Sequence, residues 1–181
     1  MKTLDEIYSD PTYQPFQKNG WQVDSFPDIS IPSTGAVIPG LDPNFVQSIS
    51  FSLPGIEAVS VDAGATNMNY PGNYSIQGPT FTVLENYRLE ALSYMLGWLS
   101  TIRNPDSTYN APTVFKKDIV LTLVDMTGLT VATVICQGCW PKGGTTYDLD
   151  TTSGSVSNPL AFNLDSVEII TVFAQDSLPS F

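Results

Sequence analysis

Residues 118–136 read Asp118-Ile119-Val120-Leu121-Thr122-Leu123-Val124, then Asp125-Met126-Thr127-Gly128, then Leu129-Thr130-Val131-Ala132-Thr133-Val134-Ile135-Cys136. Two runs rich in β-branched residues flank a short polar segment that ends in glycine. That pattern predicts a β-hairpin. Both runs are apolar on alternate and intervening positions, which predicts that both faces of the hairpin are covered.

Toward the C-terminus, Gly138-Cys139-Trp140-Pro141-Lys142-Gly143-Gly144 reads as a turn or bulge. Residues 145–163 are mostly polar and read as a loop. A closing strand is expected over 164–174, with Val167, Ile169, Thr171 and Phe173 on one face and Glu168, Ile170 and Val172 on the other. Toward the N-terminus, 106–113 reads as a polar loop. One helix is expected at about 86–103, its apolar stripe formed by Leu89, Leu92, Met95, Leu96, Leu99 and Ile102. Glu85 and Glu90 near its start and Arg103 at its end suit the helix dipole, and Asn104-Pro105 stops it. Thr80–Leu84 and the alternating Ile49, Phe51 and Leu53 predict two further strands. Residues 56–79 between them carry Gly64, Pro71, Gly72, Gly78 and Pro79 and read as a long loop.

The first 44 residues differ from the rest. Pro11, Pro15, Pro27, Pro32, Pro39 and Pro43 are interleaved with apolar anchors such as Trp21, Val23, Phe26 and Ile29. This suits an extended arm that packs on something. The expected organisation is an arm over 1–44 and a mainly β domain over 45–181, an antiparallel sheet or barrel with one packed helix.

Composition narrows the function. The chain has 181 residues, 18 acidic and 7 basic side chains, a net charge of −11 and no histidine. Too few cations remain for gripping phosphates or an anionic membrane. Histidine-dependent triads and histidine-ligated zinc are excluded. Only 14% of residues are charged, a depletion typical of surfaces buried by partners. The acidic start, Met1-Lys2-Thr3-Leu4-Asp5-Glu6, lacks the apolar run of a signal peptide, so cytoplasmic synthesis is expected.

Few motifs suggest chemistry. Cys136-Gln137-Gly138-Cys139 is a CxxC, but the chain offers no further soft ligands and no helix follows. It reads as two small buried residues whose side chains, in a regular strand, point to opposite faces. Lys142-Gly143-Gly144-Thr145-Thr146 lacks the lysine that a phosphate loop requires at Gly144. Asp148 and Asp150 have no ligand partners at suitable spacing. No catalytic residue, metal site or cofactor is expected.

The order of short motifs carries a resemblance. Ile49–Leu53-Pro54-Gly55, a long loop, Thr80-Phe81-Thr82-Val83, a helix with Trp98 near its middle, Lys116-Lys117-Asp118 opening a hairpin, Gly138-Cys139-Trp140-Pro141 and a closing amphipathic strand follow one another over about residues 45–174. This resembles the tail tube protein of contractile-tailed bacteriophages, similar in fold to the hemolysin-coregulated tube protein of type VI secretion. The resemblance implies six subunits completing a large hollow β-barrel. Its rings stack inside a sheath between baseplate and terminator, and DNA passes without specific binding. It implies a virion protein with no enzymatic activity. Acids such as Asp118, Asp125, Asp165 and Glu168 are expected to line the channel. Met68, Tyr70 and Tyr74 in the 56–79 loop are expected to contact a neighbouring subunit or ring. The alternatives are a tube-like initiator, baseplate or secretion-system protein and, in another class, a carbohydrate-binding β-sandwich.

Overall fold

A computed structural model describes residues 20–62, 66–125, 128–143 and 156–171. The strands are β1 (Trp21–Ser25), β2 (Ile29–Ser30), β3 (Val37–Ile38), β4 (Val46–Ser50), β5 (Gly55–Asp62), β6 (Asn67–Ser75), β7 (Thr80–Leu84), β8 (Lys117–Val124), β9 (Thr130–Pro141), β10 (Ser157–Asn163) and β11 (Ser166–Thr171). The helices are α1 (Glu90–Ile102) and the single turn α2 (Pro112–Phe115). The fold is mainly β, with antiparallel order β1-β8-β9-β10-β7-β4 and β11 paired to β9.

The expected hairpin forms as β8 and β9, with Leu121 opposite Val134 and Thr122 opposite Thr133. Strand β9 runs past Cys136 to Pro141 because Gly138, at φ 65°, is a bulge inside it rather than a turn. Burial switches phase there: Ala132, Val134 and Cys136 are buried before it, Cys139 and Pro141 after it. The first part of β9 pairs with β8 and β11, and Trp140 and Pro141 pair with β10. One strand thus serves two sheet segments, as bulges permit.

The helix covers one face of this sheet. The leucine stripe is corrected: Leu89 and Leu96 are exposed, and the buried residues are Ala91, Tyr94, Met95, Gly97, Trp98 and Thr101. The aromatic pair bury more surface than leucines would: Tyr94 meets Phe26 and Trp98 edge-on, Trp98 meets Phe162 at a tilt, and Phe81 bridges Phe26 and Phe162. The Trp98 indole N–H donates to the Phe115 carbonyl at 2.6 Å, and the Tyr94 hydroxyl to the Pro27 carbonyl at 2.9 Å. Burial, with Asp28 nearby, pushes the Tyr94 pKa up, so it stays a neutral donor. The helix starts four residues later than expected. Its N-cap position, Leu89, offers no capping side chain; the Glu85 carboxylate instead accepts from the Ala91 and Leu92 amides, each at 3.1 Å.

Residues 20–44 are part of this core. β1 pairs with β8, and Val23, Phe26, Ile29 and Leu41 are buried among the helix and sheet side chains. Two expected loops are strands. Residues 157–163 form β10, with Asn158, Leu160 and Phe162 buried. Residues 55–62 and 67–75 form the paired strands β5 and β6, whose described breakers Pro71 and Gly72 stand at a bulge: Gly72 and Asn73 face Glu57 alone, and Pro71 pairs with Ala58; Gly64 lies outside the described residues. Val172 and Phe173 of the closing strand, and Asp148 and Asp150, lie outside the described residues.

Trp98→Ala removes the centre of the aromatic cluster and leaves the Phe115 carbonyl without its donor. It is expected to cost about 3–5 kcal/mol of stability by equilibrium denaturation. A loss below about 1 kcal/mol would mean that the core is organised elsewhere.

Candidate assembly surfaces

The strands β1, β8, β9 and β11 form a four-stranded unit with two unlike faces. Val23, Ile119, Leu121, Val134 and Cys136 point to the helix side and are buried. The intervening residues point the other way. That open face holds Gln22, Asp24, Asp118, Glu168 and Ile170, all exposed, with Val120, Thr133, Ile135 and Gln137 half-exposed between them. It was expected to be covered; the described residues leave most of it open, although Thr122, which shares this face and donates to Asp24, is buried. These positions include three carboxylates and no lysine or arginine.

The expected channel acids fall in three settings. Asp118 and Glu168 share the open face. Asp118 accepts from the Gly138 amide at 2.8 Å, and Glu168 accepts from the Gln137 side-chain amide at 3.1 Å. Asp165 lies against the bulge, its carboxylate paired with the Lys116 ammonium at 2.6 Å. Asp125 stands at the other end of the hairpin, where its carboxylate accepts the Leu129 amide at 3.0 Å. Asp24 belongs with Asp118 and Glu168 but escaped the sequence reading, because it lies in the proline-rich segment. It sits at a bulge in β1 and accepts from the Thr122 hydroxyl at 2.7 Å. The alternation Trp21-Gln22-Val23-Asp24 was the signal for it.

The bulge also decides the cysteines. Cys136 and Cys139 are free thiols and both fully buried, on the same side rather than opposite sides, because the extra residue shifts the side-chain alternation by one. A hydrogen bond to Cys136 and burial push the Cys139 thiol pKa up, which keeps it protonated and unreactive. Among the described residues no group of three or more His, Cys, Asp or Glu side chains is placed to hold a metal.

The β5–β6 hairpin carries the expected contact residues. Val59 pairs with Tyr70 and Val61 with Met68, which puts four large apolar side chains on one face. Ser60, Asp62, Asn67 and Asn69 alternate with them on the other face. The Tyr70 hydroxyl donates to the Met68 sulfur at 3.5 Å. Tyr74 pairs with Ile56 beyond the bulge. Every one of these apolar residues is exposed, and β5 and β6 pair only with each other among the described strands. A lone two-stranded hairpin is marginal in water, so its apolar face is in want of a cover.

Gly138→Ala tests the bulge. A Cβ there would run into the Asp165 carboxylate, and φ 65° disfavours any L side chain. Thermal and chemical denaturation should show a loss of about 2–3 kcal/mol. Gly128→Ala, at φ 83° with open space around it, should lose only the backbone part, about 1–2 kcal/mol.

No protein-family profile and no curated protein sequence matches the chain. Solved structures do. The chain is similar to one in the sheath–tube complex of an extracellular contractile injection system, PVC, in its extended state, at TM-score 0.61 and 15% identity, covering 95% of this chain and 100% of that one. It is similar to a chain of the tube-terminating cap of the anti-feeding prophage (TM-score 0.60, 16% identity, 88% and 93% covered). A chain of the anti-feeding prophage baseplate gives TM-score 0.60 at 14% identity, with 88% and 98% covered. The likeness spans whole chains on both sides, and the fold of this protein is the tube-type fold of contractile tails.

Proposed function

We propose that this chain is a structural virion protein that stacks as six-fold rings into the inner tube of a contractile phage tail. The tube is an acidic conduit for DNA during ejection. The sheath lies outside it, and baseplate and terminator proteins lie at its ends. The chain is made in the host cytoplasm and has no catalytic role. One observation carries this reading: a whole-chain tube-type fold whose sheet is open on an acidic face.

The physics follows from the charge. A conduit must let a polyanion slide. Each lysine or arginine contact to phosphate adds affinity through counterion release. An open face with Asp24, Asp118 and Glu168 and no cation does the reverse when it lines the bore. Six copies carry six times −11, a formal −66 per ring. The exposed Val59, Val61, Met68 and Tyr70 face of the hairpin is the surface a neighbouring subunit or ring would cover.

A second reading has specific support. The cap and baseplate chains match as well as the sheath–tube chain, to within 0.01 in TM-score. The alternative on the same architecture is therefore a tube-like initiator or baseplate component, or the tube protein of a secretion system.

Negative-stain microscopy of the purified protein separates these. Stacked tubes are expected for a tube subunit, single rings for an initiator, and monomers would overturn both. Deleting residues 60–75 should abolish stacking while circular dichroism and melting of the remaining domain stay nearly unchanged, since the hairpin contributes nothing to the buried core.

The charge argument has its own check. Thr133→Lys with Ile135→Lys, two open-face positions on β9 that belong neither to the bulge nor to an edge strand, should leave assembly intact and add twelve lysines per ring. Double-stranded DNA should then co-sediment with the assemblies at low salt and be released at high salt. Wild-type assemblies should not retain it.

A further inference from the structure

The two outer strands of the four-stranded unit, β1 and β11, each have one unpaired side among the described residues. The unit has an even number of antiparallel strands, so β1 and β11 run in opposite directions. Copies related by rotation therefore bring β11 of one beside β1 of the next in antiparallel orientation.

Hydrogen-bond phase agrees with this. The Gly20 carbonyl accepts from the Val124 amide at 2.9 Å, so Gly20 and Gln22 face β8, and Trp21 and Val23 aim their N–H and C=O groups at the free edge. The same alternation carried through β8 and β9 leaves Val167, Ile169 and Thr171 aimed at the free edge of β11. Both free sets lie on the helix side of the sheet. One edge thus fits the other in bonding phase and in face at once. Ile169 pairs with the buried Val134, yet it is 40% exposed, as a helix-side residue at an unfilled edge would be.

Two registers give three full pairs. In one, Val23 meets Ile169, Gln22 meets Ile170 and Trp21 meets Thr171, which sets Asp24 directly opposite Glu168. Like charges in direct opposition are destabilising. In the other, Trp21 meets Ile169, Gln22 meets Glu168 and Val23 meets Val167. This gives an aromatic–β-branched pair that covers Ile169, an amide beside the Glu168 carboxylate, and a valine pair on the helix side. Asp24 then lies opposite Ser166.

A barrel completed by six subunits joins these two edges; we infer that β1 of one copy meets β11 of the next in the register Trp21–Ile169, Gln22–Glu168, Val23–Val167, with the Asp24 and Glu168 carboxylates setting that register. The inference rests on the ring reading above.

Disulfide trapping in full-length assemblies tests it. Directly paired residues have Cα atoms about 4.5–5.5 Å apart, within disulfide reach; diagonal neighbours, at roughly 7–8 Å, fall outside it. Mild copper-phenanthroline oxidation of a Gln22→Cys, Glu168→Cys chain should produce a ladder of covalent dimers and higher oligomers on a non-reducing gel. Gln22→Cys with Ile170→Cys should give at least about tenfold less. Wild-type chain controls for Cys136 and Cys139. Single-cysteine chains mixed one to one, diluted into wild type so that assembly is preserved, supply the second measurement; Gln22→Cys with Glu168→Cys should stop at the covalent dimer. A stronger signal from the Ile170 pairing overturns the register and leaves the ring. Rings or tubes that trap at neither pair overturn the edge-to-edge interface. Monomeric wild-type protein overturns the ring reading, and this inference with it.

Discussion

The extra residue at Gly138 is the constraint on which the rest of the structure depends. A regular twelve-residue strand would keep one partner set along its length. Strand β9 instead keeps β8 on both sides of the bulge but exchanges β11 for β10 beyond it. That exchange lets one continuous strand belong to two sheet segments that enclose Trp98, Phe81 and Phe162. It is latched from both sides. Asp118 holds the Gly138 amide, the Asp165 amide donates to the Gln137 carbonyl, and the Asp165 carboxylate occupies the space a side chain at 138 would need. Lys116 compensates Asp165 there. Asp118, by contrast, is presented on the open face, so one local device shapes both the core and the charge of the surface opposite it.

That division explains an odd composition. A chain with so few charged residues cannot cover itself with solvated lysines and glutamates. Three of its carboxylates, Asp24, Asp118 and Glu168, share the open face, while much of the remaining surface is neutral or apolar: the hairpin face, the Leu89 and Leu96 side of the helix, and Ile169 and Ile170 on the edge strand. Scattered exposed apolar residues need no explanation, but a contiguous set on a two-stranded projection does. An edge strand with unpaired amides is a hazard that most proteins blunt with charges or cover. Here β11 keeps a single charge, Glu168, and β1 a single charge, Asp24. Edges kept this bare are consistent with edges meant to pair.

Legibility in the sequence followed the strength of local patterning. The β8–β9 hairpin was plain because β-branched runs flank a turn, and Thr80–Leu84 because it alternates. The helix was plain, but its buried face was not. Leucines outnumber aromatics on a helical wheel, whereas the space beside the sheet is filled by Tyr94 and Trp98, with Gly97 giving Ile38 room. Proline misled twice for the same reason. Pro71 sits at a bulge, and Pro159 sits where its missing N–H breaks no ladder. The Phe162 amide donates to the Pro79 carbonyl, a phase that turns Pro159 away from β7, and β9 reaches only Phe162 and Asn163. Of the expected contact residues, Met68 and Tyr70 share one exposed face of the β5–β6 hairpin and Tyr74 lies beyond its bulge; of the expected acids, Asp118 and Glu168 fall together on one face of the sheet. Asp125 lies at the far end of the hairpin, and Asp24 was hidden by the prolines around it.

The fold likeness holds at about 15% identity, so it is held by physics that many side chains satisfy. What such a scaffold must keep is more general than any motif: a four-stranded unit of even strand number, one face sealed by a helix, and the other left for the assembly to define. Changing the residues on the sealed face costs stability at once. Changing those on the open face leaves the core packing in place, except at Asp118, which holds the Gly138 amide. The charge of that face can therefore change at positions that hold neither the bulge nor an edge, such as 133 and 135, while the core around Trp98 stays as it is.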